Sequence, residues 1–287
     1  MDNGMRLPFA IVHSISRPAK REHRESTMKQ FTIDLARQAG EMIRTERAEA
    51  DLEHSYKFGN ELVTQADLKA DKLICDAIRA QFPAHSIVSE ESAPDTDHVQ
   101  EIKNPYWIID PIDGTVNYAH GHIQSAVSIA YAEQGRVVLG VVFNPFTNEM
   151  FHAQLGSGAF LNDQPISVAS ETDLRRAIIA TGFPYKKEGI ATMVDNLHRI
   201  LDECADIRRL GSAALDICWV AAGRLDGYYE SLSLWDFAAA RLIAAEAGAE
   251  CGHFRPVPAG VDPAFHNKDL LIANPGLFPQ LKRLLTP

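Results

Sequence analysis

The sequence predicts a layered mixed α/β fold of the α+β type. Helix and strand patterns alternate at both ends of the chain, while the middle reads as consecutive antiparallel strands. A length of 287 residues with 46% hydrophobic side chains is enough to bury a sizeable core.

Residues 1–27 carry Arg6, Arg17, Lys20, Arg21 and Arg24 against Asp2, Glu22 and Glu25, a local net of +2 without periodicity. They read as an extension without fixed structure, and 28–287 as the main domain, in two lobes dividing near residue 170. From Met28 to about Ala50, Phe31, Ile33, Leu35, Ala39 and Ile43 mark an amphipathic helix. A second helix runs from Asp67 to Phe82 on Leu68, Leu73, Ile74, Ile78 and Phe82. His85–Ser89 is a short strand with Glu90 at its end. Residues 125–132 and 136–144 form a hairpin around Gln134-Gly135. The segment Phe151–Phe160 continues the β-rich region, and Ala177–Thr181 is a further strand. Helices follow over 190–204 and 212–222, then strand Gly227–Glu230, helix Trp235–Ala247, strand Leu270–Ala273 and a C-terminal helix.

The formal charge of −10 argues against a nucleic-acid-binding surface, which needs clustered Lys and Arg, but not against a small phosphorylated substrate. Cys75, Cys204, Cys218 and Cys251 form no C-x-x-C pair, so zinc-finger and thioredoxin-like sites are excluded and a reduced, cytoplasmic protein is expected. No apolar run approaches the roughly 18–20 residues that span a membrane, and Leu7–Val12 is too short for a signal-peptide core.

The densest signal is Trp107-Ile108-Ile109-Asp110-Pro111-Ile112-Asp113-Gly114-Thr115-Val116-Asn117-Tyr118. Its apolar half reads as a buried strand and its polar half as the loop at that strand's end, where α/β sheets hold ligands. Pro111 stiffens the loop and Gly114 allows close backbone approach. Two carboxylates on a rigid turn suit hard cations such as Mg2+. Asp67, Glu90 and Asp236 also fall at element ends. Taken singly, Asp67 and Asp236 could be helix N-caps and Glu90 a solvated loop charge. Gathered at one sheet edge, all five would repel unless a cation held them. Two divalent ions roughly 3.5–4 Å apart would activate water and stabilise a leaving oxygen, and Asp110 could bridge them. Phosphate-ester hydrolysis is the natural chemistry. A phosphatase that attacks with its own carboxylate needs Asp-x-Asp, whereas both Pro111 and Ile112 separate the aspartates here.

From about Met28 onward the chain resembles the inositol monophosphatase family. The resemblance rests on Leu62-Val63-Thr64-Gln65-Ala66-Asp67, Ser89-Glu90-Glu91-Ser92, the long central motif, Gly211-Ser212-Ala213-Ala214, and Trp235-Asp236-Phe237-Ala238-Ala239 running on to Glu246-Ala247-Gly248. It implies an αβαβα layered sandwich, a homodimer, and Mg2+-dependent, lithium-sensitive hydrolysis of a phosphate monoester by an inositol-phosphate phosphatase, with about two to three ions bound. Glu90, Asp110, the Ile112 carbonyl, Asp113 and Asp236 match metal ligands. Asp67, Glu90 and Thr115 match residues that activate or organise the attacking water. Asp113, the amides of Gly114 and Thr115, Ala213 and Glu230 match substrate contacts. Glu230 stands six residues before Asp236, a closer spacing than is usual in the family, and His120-Gly121-His122-Ile123-Gln124 lacks the family's aromatic residue.

Inositol 1-phosphate is the expected substrate, and nucleic acid and membrane are not expected partners. The same chemistry on 3′-phosphoadenosine 5′-phosphate, fructose 1,6-bisphosphate or histidinol phosphate is an alternative. So is a non-catalytic role as a partner of RNA or transcription machinery. Gly156-Ser157-Gly158 reads as a hairpin turn rather than a nucleotide loop. His120 and His122 read as surface residues, Lys57 as either a phosphate neighbour or a loop lysine, and Arg208 and Arg209 as facing a partner or a polar substrate.

Overall fold

The computed structural model describes residues 19–49, 54–57, 61–92, 104–183 and 189–286. Helix α1 (Ala19–Glu49) begins at Ala19 rather than at Met28; residues 1–18 of the expected extension lie outside the described residues. Its stripe of Met28, Leu35, Ala36, Ala39 and Ile43 is buried at helical spacing. After the short hairpin β1 (His54–Lys57) and β2 (Glu61–Thr64), helix α2 (Gln65–Gln81) buries Ala66, Ala70, Ile74 and Ile78, an i+4 row. Both helices share a core with one face of the first sheet.

That sheet has seven strands in the order β3-β4-β5-β6-β7-β8-β9. They are β3 (Ser86–Ser89), β4 (Tyr106–Asp113), β5 (Ala126–Glu133), β6 (Arg136–Asn144), β7 (Glu149–Gln154), β8 (Ala159–Leu161) and β9 (Gln164–Ile166). Only the β3–β4 pair is parallel. Strand side chains alternate between faces: Trp107, Ile109, Val127, Ile129, Tyr131, Val141 and Phe143 meet α1 and α2, while Tyr106, Ile108, Ala126, Ala130 and Val142 face the other way. The β5–β6 turn takes Gln134 and Gly135 through φ of 53° and 71°, the positive values that a tight two-residue hairpin requires.

Helices α5 (Ala213–Ala221) and α6 (Leu234–Glu246) fill the middle layer. The approach of α6 is close: a Cβ on Gly140 would lie 2.6 Å from the Ala239 carbonyl oxygen, so glycine at this strand position is a steric requirement. The second sheet has five strands in the order β11-β10-β12-β14-β13. These are β10 (Ile178–Thr181), β11 (Asp206–Arg208), β12 (Gly227–Glu230), β13 (Glu250–His253) and β14 (Leu270–Ala273). Strand β10 runs parallel to β11 and β12, and β14 antiparallel to β12 and β13. Its outer face is closed by α4 (Ile190–Glu203) and α7 (Phe278–Leu285) through Ile200, Leu277, Phe278, Leu281 and Leu285. The result is an αβαβα sandwich, as the resemblance implied.

Short elements escape the periodicity: β1, β2, β11, β13 and the one-turn helix α3 (Thr115–Ala119) are too brief to show a repeat. The polar half of the central motif is also not a loop. Asp110, Pro111, Ile112 and Asp113 continue β4, and α3 follows after Gly114. Among the described residues no helix is long and apolar enough to cross a membrane, and all four cysteines are free.

Candidate metal centre and active site

The site begins with an irregularity in β4. Asp110 pairs with Ser128 and Asp113 with Ala126, so β4 spends one residue more than β5 over the same stretch. Residues three apart on a regular strand point to opposite faces; a one-residue bulge puts them on the same face. Ile109 and Ile112 therefore both enter the core under α1 and α2. Asp110 and Asp113, nearly inaccessible at 2% and 6%, sit together on the opposite side. The Asp110 carboxylate accepts from the Ile112 amide at 3.0 Å, which fixes the bulge.

Asp236 reaches the same place from the start of α6. It is the third helical residue, not the N-cap: Ser233 caps the helix and its amide donates to Asp236 Oδ2 at 2.8 Å. Oxygens of Asp110, Asp113 and Asp236 all lie within 4.8 Å of one another. Glu90 enters from the end of β3, where its amide donates to the Ile109 carbonyl at 3.2 Å and its carboxyl hydrogen-bonds Asp110. Burial, then Glu90, Asp113 and Asp236 in turn, pushes the Asp110 carboxyl well above the usual carboxylate range. Burial, Asp113 and Glu90 do the same to Asp236. Burial raises Asp113 despite donors from Ser212 and Ala214. Such a cluster retains protons or binds cations; a cation reverses every one of these shifts. The donors are all oxygens, the set that Mg2+ prefers.

Beside the cluster stands a second carboxylate arrangement. Asp67 is the third residue of α2, capped by Thr64. Its Oδ2 accepts from the Thr64 amide at 2.8 Å and hydroxyl at 2.6 Å, and its Oδ1 from Thr115 Oγ at 3.2 Å. Thr115 Oγ also lies 3.1 Å from the Ile112 carbonyl. One turn along α2, buried Asp71 accepts from Ser89 Oγ and, at 3.6 Å, from Cys75 Sγ. Because Ser89 precedes Glu90, α2 holds both Thr115 and the Glu90 segment through aspartates four residues apart. Asp71 passed unnoticed in the sequence, although its i+4 relation to Asp67 puts it on the same helix face.

Gly114 turns the chain from β4 into α3 with φ of 91°, and a Cβ there would lie 2.8 Å from the Gln124 carbonyl oxygen and 3.0 Å from that of Gly211. No larger residue fits. The first amides of α3, those of Thr115 and its successors, have no intrahelical acceptor. Asn117 ties this turn to its surroundings by donating to the carbonyls of Gln124 at 2.8 Å and Leu210 at 2.7 Å. Ala213 is the first residue of α5. Glu230 ends β12, hydrogen-bonded by the Tyr228 hydroxyl and the Gly182 amide; burial nevertheless pushes it up to about 7, Tyr228 and Arg209 opposing and Asp113 adding to the rise. It thus faces Asp113 electrostatically while standing outside the three-aspartate cluster.

The remaining polar candidates have other surroundings. His120 and His122 are exposed, and the His122 carbonyl accepts from Arg47. Lys57 lies in β1, and its side chain is outside the described residues. Arg208 pairs with Asp206 at 2.6 Å, whereas the Arg209 guanidinium lies over the Phe183 ring at 5.3 Å. The amides of Gly156, Ser157 and Gly158 all donate to the Glu246 carboxylate at 2.8–3.0 Å, so this turn cradles the chain's own anion.

The family model for the inositol monophosphatase family matches residues 24–284. The Nus factor SuhB of Salmonella typhimurium strain LT2 is 42% identical over 230 residues, 79% of this chain and 85% of that protein. The extragenic suppressor protein suhB of Bartonella henselae has a TM-score of 0.81 at 36% identity, over 91% of this chain and 98% of that one. An IMPase of Thermotoga maritima has a TM-score of 0.79 at 32% identity, over 90% and 96%. With that extent of sequence matched and that fold, the chain belongs to the inositol monophosphatase family.

Proposed function

We propose that the chain is a Mg2+-dependent phosphomonoesterase that releases phosphate from inositol 1-phosphate or a closely similar polyol phosphate, using water as nucleophile. The observation that carries this reading is the convergence of Asp110, Asp113 and Asp236 within 4.8 Å, beside the Thr115–Asp67 pair. Asp110, Asp113, Asp236, Glu90 and the Ile112 carbonyl would hold the ions. When bound, divalent ions lower the pKa of water and neutralise charge developing on the phosphoryl oxygens.

The chain's own groups do the rest. Thr115 donates its hydroxyl proton to Asp67, leaving its lone pairs to orient a water and accept its proton; Asp67 carries that proton onward. The amides of Gly114 and Thr115 bind the phosphate, and Ala213 and Glu230 meet the alcohol. Water adds to phosphorus as the bond to the alcohol oxygen breaks, and that oxygen takes up a proton. The free cysteines fit a reducing, cytoplasmic location, and the family resemblance supports lithium inhibition and a homodimer.

The test is phosphate release from inositol 1-phosphate over a Mg2+ titration, with fructose 1,6-bisphosphate and 3′-phosphoadenosine 5′-phosphate alongside. Strong Mg2+-dependent turnover of the inositol ester is expected, together with loss of turnover in Asp113→Asn. Full turnover in that variant would sink the reading. A second reading is favoured by the likeness to proteins named Nus factor: a non-catalytic role with RNA or transcription machinery, alongside or in place of catalysis. With a net charge of −10, such a role is better served by protein contacts than by a broad phosphate-binding surface. Capture of transcription proteins by both wild type and the Asp113→Asn variant would separate that role from the chemistry.

A further inference from the structure

Asp216 is a deeply buried carboxyl close to the site that the scheme above leaves unused. It lies in the first turns of α5, is 1% exposed, and its Oδ1 has no hydrogen-bond partner among the described residues. Buried polar atoms are nearly always satisfied, so an orphaned carboxyl oxygen implies a donor that the described residues do not provide. Helical side chains lean toward the helix N-terminus, which places the Asp216 carboxyl over the turn carrying Ser212 and Ala213. That same turn anchors Asp113, through Ser212 Oγ at 2.5 Å and the Ala214 amide at 2.8 Å. The charges that act on Asp216 are Asp113 and Glu230, both adding to the upward push of burial, with Arg209 opposing. Arg209 acts in the same sense on Glu230. Asp216, three residues after Ala213 on α5, thus stands close enough to Glu230 at the end of β12 for the two carboxyls to repel.

We propose that Asp216 is a specificity-determining residue: with Glu230 it forms a paired carboxyl acceptor for hydroxyl groups on the alcohol half of the phosphate ester. The proposal rests on the phosphomonoesterase reading and narrows its substrate class to neutral polyol phosphates. Carboxyl oxygens select hydroxyl donors. They disfavour a second phosphate in the same place, because like charges would be brought together with little water between them. A site whose buried acceptors are completed only by substrate hydroxyls discriminates strongly against esters that lack them. The sequence hides this role because Asp216 sits in an apolar helix, flanked by Leu215 and Ile217, with no motif around it.

Two variants test it. Asp216→Asn keeps the shape and one acceptor oxygen, and Asp216→Leu removes both acceptors at similar size. For each, kcat/KM is measured at saturating Mg2+ for inositol 1-phosphate and for phenyl phosphate, which carries no alcohol hydroxyl, with the melting temperature alongside. The inositol-to-phenyl ratio is expected to fall at least about tenfold in the Leu variant and less in the Asn variant, mainly through KM for the polyol ester. A ratio unchanged from wild type, or an equal loss on both esters, overturns the proposal. Both variants remove an unpaired buried carboxyl and should melt no lower than wild type; if Leu prevents folding, the Asn variant decides. Absence of Mg2+-dependent phosphate release by the wild type on either ester would overturn the underlying reading and this proposal together, and it is visible before any variant is made.

Discussion

Two helices of this protein start with the same device and end with different chemistry. In α2 the capping box is Thr64 with Asp67; in α6 it is Ser233 with Asp236. Each aspartate uses one oxygen to satisfy its own helix start. Asp67 then receives hydroxyl donors, and its upward shift from burial is opposed by Thr64 and Thr115. Asp236 meets Asp113 and Glu90, which add to the push of burial. The local motif sets where a carboxylate stands, and the neighbours set what it is suited to: one is held by hydroxyl donors, the other sits among carboxylates that a cation would relieve.

The contrast is broken most severely by exchanging each aspartate for asparagine. Asp236→Asn is expected to lower kcat/KM about a hundredfold or more and to reduce Mn2+ binding measured by electron paramagnetic resonance. Asp67→Asn is expected to lower kcat on a similar scale, through loss of the proton acceptor, while Mn2+ binding stays near wild type. Equal loss of metal binding in both would dissolve the distinction. A smaller effect is expected one turn along α2. Asp71→Ala frees Ser89 and so the Glu90 segment, and should weaken Mn2+ affinity by roughly 10–100-fold with the fold intact; unchanged affinity would reduce Asp71 to a packing residue.

The next effect is read in stability. Glu230 is raised in the folded chain to about 7, and the cluster aspartates are raised as well. The folded state then binds more protons than the unfolded one between the ordinary carboxylate values and the raised ones. In the presence of chelator, stability should therefore decline as pH rises from about 4.5 to 7, and Mg2+ should restore it at the upper end by binding only the folded form. A melting temperature that is flat over this range, with or without Mg2+, would show that the carboxylates do not carry these shifts. The smallest change is Ser233→Ala. A Ser-to-Ala exchange at an N-cap costs about 1 kcal/mol, and because the Ser233 amide that donates to Asp236 is retained, it should lower the melting temperature only slightly; a large loss of Mn2+ binding would mean that the Ser233 side chain positions Asp236.

Much of the fold was legible because period and composition are local properties. The α1 stripe of Met28, Leu35, Ala39 and Ile43, the β5–β6 hairpin at Gln134-Gly135 and the β14 run Leu270–Ala273 each follow from spacing alone. The start of α1 did not, since Ala19–Glu25 is rich in charged residues and carries no apolar repeat that would mark a helix. Strand β11, at three residues, is too short to display a period, and its partner β10 is supplied by another part of the chain.

The sequence by itself determined the chemical inventory: which carboxylates stand at element ends, the glycine that must turn at Gly114, and the motifs that carry the family resemblance. Only the tertiary structure decided how the inventory is used. The bulge in β4 is visible only against the register of β5, and it alone puts Asp110 and Asp113 on one face. The tie from Asp71 to Ser89 joins residues 18 apart in the chain, and the anchoring of Asp113 by Ser212 joins residues 99 apart. Likewise Asp216 gains its neighbours from α5, β4 and β12 at once. Side-chain type is written locally, whereas burial, partner charge and strand register depend on chain segments that meet only after folding.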